Sequence, residues 1–537
     1  MKSFVETIAQ TGAIVAMSAV LLTAAPAMAQ FSAMNQAIAE GAADNESMAA
    51  FYRAREFAPI WTTTDDTAAD RRAALLAALD QAGDHGLPTS RYDADALRAA
   101  FRGAVTPYAR GQAEVLATEM FLTYARDVQT GLLDPETVVP GIVMGVPRRD
   151  QLDQLESFTE ADPFAFMRAL PPRHPDYLRL MREKLRLERV LGDGGWGQTV
   201  NSGRLEPGDR GPAVVELRDR LIRMGYLHRS ASASYDDALS DAVMTFQEDH
   251  GLTADGIAGQ ETITQLNIGV RQRLEQVILG MERQRWMNRE RGERHILVNI
   301  PDFHAYVIDD EHVSFETRVV VGHRAADRNT PEFSDVMEHM VINPSWYVPR
   351  SIAVGEYLPG MIASGGASSG HLQLMRGGQA VSRAAVDWAA YADTPATSFP
   401  FDLRQPPGPS NALGRVKFMF PNQWNIYLHD TPSRNLFSHE VRAYSHGCVR
   451  VHRPLELAYH LLAPQETDPQ GYFTSVLNTG QETYVYLDDE IPVHLVYWTA
   501  WVDQDGRPQY RRDVYGRNAL LWRAMNAAGV EVRAISS

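Results

Sequence analysis

The sequence predicts a multidomain α+β protein: a helical scaffold, a small three-helix module, and a β-rich unit interrupted by a long insertion. Three observations predict this class. At 537 residues the chain is too long for one hydrophobic core, and at roughly 150 residues per domain it divides into three or four units. Apolar residues recur at helical spacing through the first two hundred or so positions. From about Arg294 the pattern changes to short β-branched and aromatic runs bounded by turn residues.

The first 29 residues read as a secretory signal peptide. Lys2 is followed by an apolar run from Thr11 to Leu22 and by Ala27-Met28-Ala29, a small-residue cleavage site. That run is shorter than the roughly 20 residues a membrane helix needs, so the mature chain starts at Gln30 and is exported to the periplasm. An uncleaved amino-terminal anchor is the alternative, since Glu6 offsets Lys2.

Residues 30–200 form the helical scaffold. Ala and Leu at helical spacing mark a helix over 73–82 that stops near Gly83, and another runs from Ala113 to Val128 before Gly131. No catalytic cluster falls here, and His85 and His174, beside Gly or Pro, read as surface or capping residues. Residues 201–268 form the compact module: a turn at 205–211, an amphipathic helix closed by Gly225, a second helix over about 237–250 and a third from near Gly259. Residues 269–293 read as a linker helix.

The catalytic unit spans 294–490. His295–Ile300 and Ala305–Asp309 flank a Pro301-Asp302 turn as a hairpin, Arg318–Gly322 continues it, and Met340–Trp346 reads as a strand running into a turn. Val416–Phe420 and Trp424–His429 read as two more strands, and the whole as a sandwich or barrel-like sheet. Residues 351–410, with their Gly and Pro runs, are an insertion long enough to be a lid or cap. After Ile491, Val493, Leu495, Val496 and Trp498 mark a buried strand, so 491–537 is read as a strand and tail completing the scaffold or catalytic fold.

Composition narrows the function classes. With 51 Lys plus Arg against 67 Asp plus Glu the formal charge is −16, which disfavours nucleic acid as a partner. The chain has one cysteine, Cys448, in Ser445-His446-Gly447-Cys448-Val449-Arg450. An unpaired thiol on an exported chain has no disulfide to make, so it is kept for reactivity. His429 precedes it by 19 positions, at the end of a predicted strand. A thiol becomes a nucleophile when an imidazole removes its proton, giving a thiolate and imidazolium pair, so Cys448 is assigned as nucleophile and His429 as base and later acid. Gly447 lets the backbone approach a substrate, and the amides around Gly447 and Cys448 are candidates for an oxyanion hole. Ser445 and His446 are assigned to loop support, with bracing preferred over base chemistry for His446; His439 and His452 are read as surface residues. Arg450 either neutralises a substrate carboxylate or holds the loop through backbone carbonyls. With no HExxH and no short H-x-H pair, neither a metal site nor a cofactor is assigned.

These residues carry a family resemblance. The hexapeptide with its upstream histidine resembles the catalytic motif of the L,D-transpeptidases, the YkuD domain. VVVG at 319–322, TPEF at 330–333, NPSWYVP at 343–349, PGPSNALGRVKFMFPN at 407–422 and YLHDTPSRNLF at 427–437 are similar to its large YcbB-type branch. GDRGPAVVELRDRLIRMGYL and AVMTFQEDHGLTADGIAGQETITQLN resemble peptidoglycan-binding domain 1. The resemblance implies an enzyme acting on peptidoglycan tetrapeptide stems as donor and acceptor, through a Cys448 acyl-enzyme, to form 3-3 cross-links. It also implies inhibition by carbapenem β-lactams, a base histidine oriented by a backbone carbonyl rather than by Asp430, and a cleft shaped by the insertion and by Tyr427. Trp424 joins Tyr427 and Arg450 as a substrate-binding candidate. The alternatives are an L,D-carboxypeptidase, an enzyme attaching protein to peptidoglycan, a zinc peptidase of the wall, and a catalytically silent wall-binding protein. No protein partner is assigned.

Overall fold

The computed structural model describes residues 33–392 and 398–535, so the signal peptide read over 1–29 lies outside the described residues. Among these residues no helix is long and apolar enough to cross a membrane. The amino-terminal region is helical. Its longest helix, Pro107–Thr130, opens with Pro at its start and the Thr106 hydroxyl capping the Ala109 amide, and Gly131 ends it at φ 97°. Phe121, Leu122 and Val128 from this helix pack with Trp61, Leu75 and Phe158 into one apolar core.

The helix read as a linker, Val270–Trp286, belongs to that core. Its Arg, Glu and Gln content reads as exposed, yet Arg283, Arg285 and Glu282 are buried; Arg285 pairs with Glu282 at 2.7 Å and donates to the His85 carbonyl at 2.8 Å. Internal ion pairing, which periodicity does not report, lets a charged helix occupy a core. His174 caps the helix Pro175–Gly192, accepting from the Asp176 amide, whereas His85 is packed inside, its ring stacked on Tyr177.

The three-helix module comprises Pro212–Met224, Asp237–Asp249 and Gln260–Leu266 around Val214, Leu217, Phe246 and Ile263. Gly225, left-handed at φ 92°, closes the first helix by donating to the Leu221 and Ile222 carbonyls.

Fifteen strands follow: β1 Arg294–Asn299, β2 His304–Asp309, β3 His312–Gly322, β4 Phe333–Ile342, β5 Trp346–Tyr347, β6 Gln373–Arg376, β7 Gln379–Val381, β8 Asp402–Gln405, β9 Val416–Met419, β10 Leu428–His429, β11 Ala443–Ser445, β12 Val449–Val451, β13 Thr483–Val496, β14 Ala500–Val502 and β15 Pro508–Tyr510. Nine of them form one mixed sheet in the order β11-β3-β12-β10-β9-β4-β13-β1-β2, and β2 also pairs with β3. That extra pairing closes the strands from β3 round to β2 into a cycle, so the inner face is walled by Val298, Val319, Met340, Phe418, Val449 and Val493.

Three expectations are corrected. The boundary at 490/491 falls inside β13, a central strand that pairs with β4 on one side and β1 on the other; the acidic run Asp488-Asp489-Glu490 lies where the β13–β4 register shifts. Beyond β13 the chain leaves the sheet, and Trp498, Ala500, Leu521 and Met525 pack into the helical core. The predicted strand over 424–429 is ordered as a strand only at Leu428–His429, because the Asn422 side chain accepts from the Trp424 and Ile426 amides and curls the segment into a turn. The inserted cap read over 351–410 is a folded layer that starts earlier: β5 pairs with β8, giving a four-stranded sheet in the order β5-β8-β6-β7 over its own core of Met361, Leu374, Trp388 and Leu403.

Candidate active site

Two short neighbouring strands build the site. β10 and β12 run parallel, with Leu428 opposite Val449 and His429 opposite Arg450. Leu428 and Val449 point into the sheet's apolar interior. Side chains alternate along strands, so Tyr427, His429, Cys448 and Arg450 all emerge on the opposite face. They line one cleft of about 580 Å³, roofed by the cap through Trp346, Glu356 and Tyr357.

The nucleophile loop is held by its own side chains and by two distant segments. Ser445 Oγ accepts from the Gly447 amide at 3.1 Å and donates to the Cys448 carbonyl at 2.5 Å. Gly447 sits at φ 112°, where a Cβ would stand 3.0 Å from Ile426 Cδ1; the tight turn therefore needs glycine. The Gly447 carbonyl accepts from buried Thr330 Oγ1 at 2.7 Å, and the same hydroxyl accepts from the Gly322 amide at 2.8 Å. Tyr515 and Arg517 in turn hold this layer: Tyr515 donates to the Gly322 carbonyl at 2.7 Å and Arg517 to the Thr330 carbonyl at 3.0 Å. The carboxy-terminal segment, to which no chemistry was attached, thus fixes the floor beneath the thiol. The Gly447 amide is taken up inside the loop by Ser445 Oγ, which places it in loop support rather than free to face an oxyanion.

His429 is buried and its Nδ1 meets the Asp430 backbone carbonyl at 2.5 Å. Nδ1 is therefore the protonated nitrogen and Nε2 the basic one. The Asp430 carboxylate faces elsewhere, accepting from the Arg415 and Thr431 amides. Burial, with Arg450 and Lys417 nearby, pulls His429 down to about 3, and burial pushes the Cys448 thiol up to about 11. The resting pair is accordingly a neutral thiol and a neutral imidazole, not the ion pair expected from the motif. Cys448 Sγ donates to the Asn425 carbonyl at 3.4 Å, and the Tyr427 side chain also bonds it. Burial also lowers Lys417 and Arg450.

Arg450 Nε is buried without a hydrogen-bond partner. The Arg450 side chain lines the cleft together with Cys448. His446 Nε2 pairs with Glu356 of the cap at 2.6 Å, and Arg328 reaches the same carboxylate at 3.3 Å. Glu356 lies in the π-helical turn Ala353–Tyr357, a local widening of the helix of the kind found at functional sites, and Glu356 and Tyr357 from it line the cleft. Trp424 lines the cleft from the loop and packs on Phe333, with ring centroids 4.7 Å apart. His439 is exposed, bonded to Tyr444, and His452 packs against Phe437, both outside the cleft. Asn425, Glu356, Lys417 and Thr330 were missed. Asn425 at φ 53° is the one with a signal, since Asn is among the few residues that tolerate that conformation.

Comparison with known proteins gives three family matches. Residues 46–183 match the scaffold domain, 210–266 a putative peptidoglycan binding domain, and 293–479 the L,D-transpeptidase catalytic domain, YkuD. A putative L,D-transpeptidase of Haemophilus influenzae is 34% identical over 223 residues, covering 41% of this chain and 44% of that protein. The match thus spans under half the length of this curated relative. Solved L,D-transpeptidases from Xylanimonas cellulosilytica DSM 15894 and Stackebrandtia nassauensis align with 56% of this chain and with 100% and 97% of their own, at 14% identity. Their TM-scores are 0.17 and 0.22, too low to speak to the fold.

Proposed function

The chain carries an L,D-transpeptidase catalytic domain of YkuD type behind a scaffold domain and a peptidoglycan-binding domain, the YcbB-type architecture, and from that premise we propose that it forms 3-3 cross-links between peptidoglycan tetrapeptide stems. The carrying observation is the placement of Tyr427, His429, Cys448 and Arg450 on one face of two adjacent strands, at the floor of a capped cleft. Cys448 Sγ attacks the carbonyl that joins the third stem residue, a diamino acid, to the terminal D-alanine. His429 Nε2 takes the thiol proton as the bond forms and hands it to the departing alanine amine. The Cys448 amide faces the developing oxyanion. Arg450 holds a donor carboxylate, and Tyr427 and Trp424 wall the acyl group. The side-chain amine of a second stem then attacks the thioester, giving the cross-link and restoring the thiol.

Neutral resting partners suit this order of events. Proton transfer is coupled to attack, so the buried pair carries charge only while a substrate covers it. A carbapenem presents a strained β-lactam carbonyl to Cys448 in place of the stem amide and is proposed to acylate it. The three-helix module keeps the chain on the wall polymer, and the leader read in the sequence exports it to the periplasm.

The test incubates the full chain and Cys448→Ala with disaccharide-tetrapeptide muropeptides and follows products by mass spectrometry. A dimer lighter by one alanine, formed only with Cys448 present, supports the proposal. Alanine loss without dimer makes the chain an L,D-carboxypeptidase, and stem attached to a protein amine makes it a protein-attaching enzyme. Wall binding with no chemistry leaves a silent wall-binding protein.

A further inference from the structure

A second cavity lies apart from the catalytic cleft and exceeds it in volume. It measures about 740 Å³, within the range of roughly 300–1,000 Å³ that small-molecule sites occupy, and shares no residue with that cleft. It lies where three units meet: the outer face of β1 and β2, the start of the helix Pro175–Gly192, and the β14–β15 hairpin beside the end of the module's helix Asp237–Asp249. Only the assembled chain makes it.

Two buried polar atoms in its lining lack partners. On β1, Ile296 and Val298 enter the sheet's interior, which turns His295 to the opposite face. His295 is 3% exposed; its Nδ1 donates to the Gly292 carbonyl at 2.9 Å, leaving Nε2 as an acceptor with nothing to accept from. Arg291 is 8% exposed; it pairs with Asp176 at 2.9 Å and Gln284 at 2.6 Å through its terminal nitrogens, and its Nε–H has no acceptor. One acceptor and one donor left open together match a hydroxyl or an N-acetyl amide, each of which can serve both.

The cavity's charges select against an anion. Its lining carries six carboxylates, Asp176, Glu248, Asp249, Glu311, Glu316 and Asp503, against four guanidinium groups, and each carboxylate already has a partner: Asp176 has Arg291 and Arg179; Asp249, Glu248 and Asp503 share Arg507; Glu311 has His174 and Glu316 has His304. Trp501 supplies an indole in the lining, with the Arg511 guanidinium over its ring at 4.6 Å from the centroid. Flat aromatic surface with planar hydrogen-bonding groups, among charges that are already paired, is the recognition chemistry of a neutral sugar ring.

We propose that this cavity is a carbohydrate-binding site that holds a neutral N-acetylated glycan segment at the junction of the three units. It rests on the peptidoglycan reading above for the source of the sugar. Its role is to seat the glycan backbone, so that stems hanging from one strand are presented to the cleft from a fixed anchor.

The test uses the full chain carrying Cys448→Ala and the neutral probe chitotetraose, by calorimetry and by tryptophan fluorescence. Saturable binding is expected, weakened about tenfold by Trp501→Leu and about fivefold by His295→Phe, which keeps a ring and removes the acceptor. Near-UV circular dichroism checks that each variant is folded, and His295→Phe decides alone if Trp501→Leu is not. Absence of saturable binding at millimolar probe overturns the proposal. So does binding that both folded variants leave intact, which would put the sugar on the three-helix module instead. The probe carries no stem and the protein no nucleophile, so failure of the cross-linking reading leaves this outcome readable on its own.

Discussion

Cys448 is the only thiol in the chain, so its alkylation by iodoacetamide reports the resting protonation state of the site without competition. An ordinary thiol titrates near 9.0, and burial moves this one up to about 11. Two pKa units reduce the thiolate fraction at pH 7 from about one in a hundred to about one in ten thousand, and the thiolate is the reacting species. Alkylation should therefore run about 100-fold slower than for a small exposed thiol of the ordinary value. Its rate should keep climbing through pH 9 and 10 rather than levelling off. His429 points the same way: held down to about 3, it cannot supply an imidazolium to stabilise a thiolate at neutral pH. The assay follows the mass of the intact chain after timed exposure between pH 6 and 11, with Cys448→Ala as blank. A plateau below pH 8 would show a thiolate–imidazolium pair already formed in the free protein and would refute the neutral-pair argument.

Two further outcomes follow from the same geometry. Thr330→Val keeps the side-chain shape but leaves the Gly322 amide and the Gly447 carbonyl unpaired in a buried layer, at a cost of about 1–3 kcal/mol each. The loop carrying Cys448 should shift and cross-linking kcat fall by about 10- to 100-fold, with Thr330→Ser retaining most activity; equal rates for Thr330→Val and the parent would remove Thr330 as a positioning residue. In acid, His429 at about 3 and His85 and His494 at about 4 stay neutral in the fold while the unfolded chain, near 6.5, takes up protons. Their folded values lie below the unfolded one, so stability is complete above about pH 6.5 and is lost as pH falls towards 4. At pH 5 the three together remove about 6 kcal/mol, seen as a falling urea midpoint between pH 7.5 and 5 that His494→Gln should flatten in part; a midpoint constant over that range would contradict it.

Local physics wrote much of this protein into its sequence. The three-helix module was legible because amphipathic spacing and a left-handed Gly225 are properties of consecutive residues. The nucleophile and its histidine were legible because a single cysteine beside glycine, a strand-end histidine and their spacing are chemical facts before folding. Residues whose role depends on a distant partner were not legible. The helix Val270–Trp286 reads as solvated because Arg283 meets Glu332 and Asn518, and Arg285 the His85 carbonyl, only in the assembled core. The boundary read at 490/491 falls inside a strand because nothing local shows that the strand continues across a register shift.

By itself the sequence determined the reacting groups, the order of the units and the helical or extended habit of most segments, since these follow from side-chain chemistry and short-range periodicity. Tertiary structure alone decided that Leu428 and Val449 turn inward so that Tyr427, His429, Cys448 and Arg450 share a face. It also decided that Thr330, Tyr515 and Arg517 hold the loop from below. And it decided that the thiol and imidazole rest uncharged, because the energy of a charge is set by the groups and the water that surround it, and those are brought from across the chain.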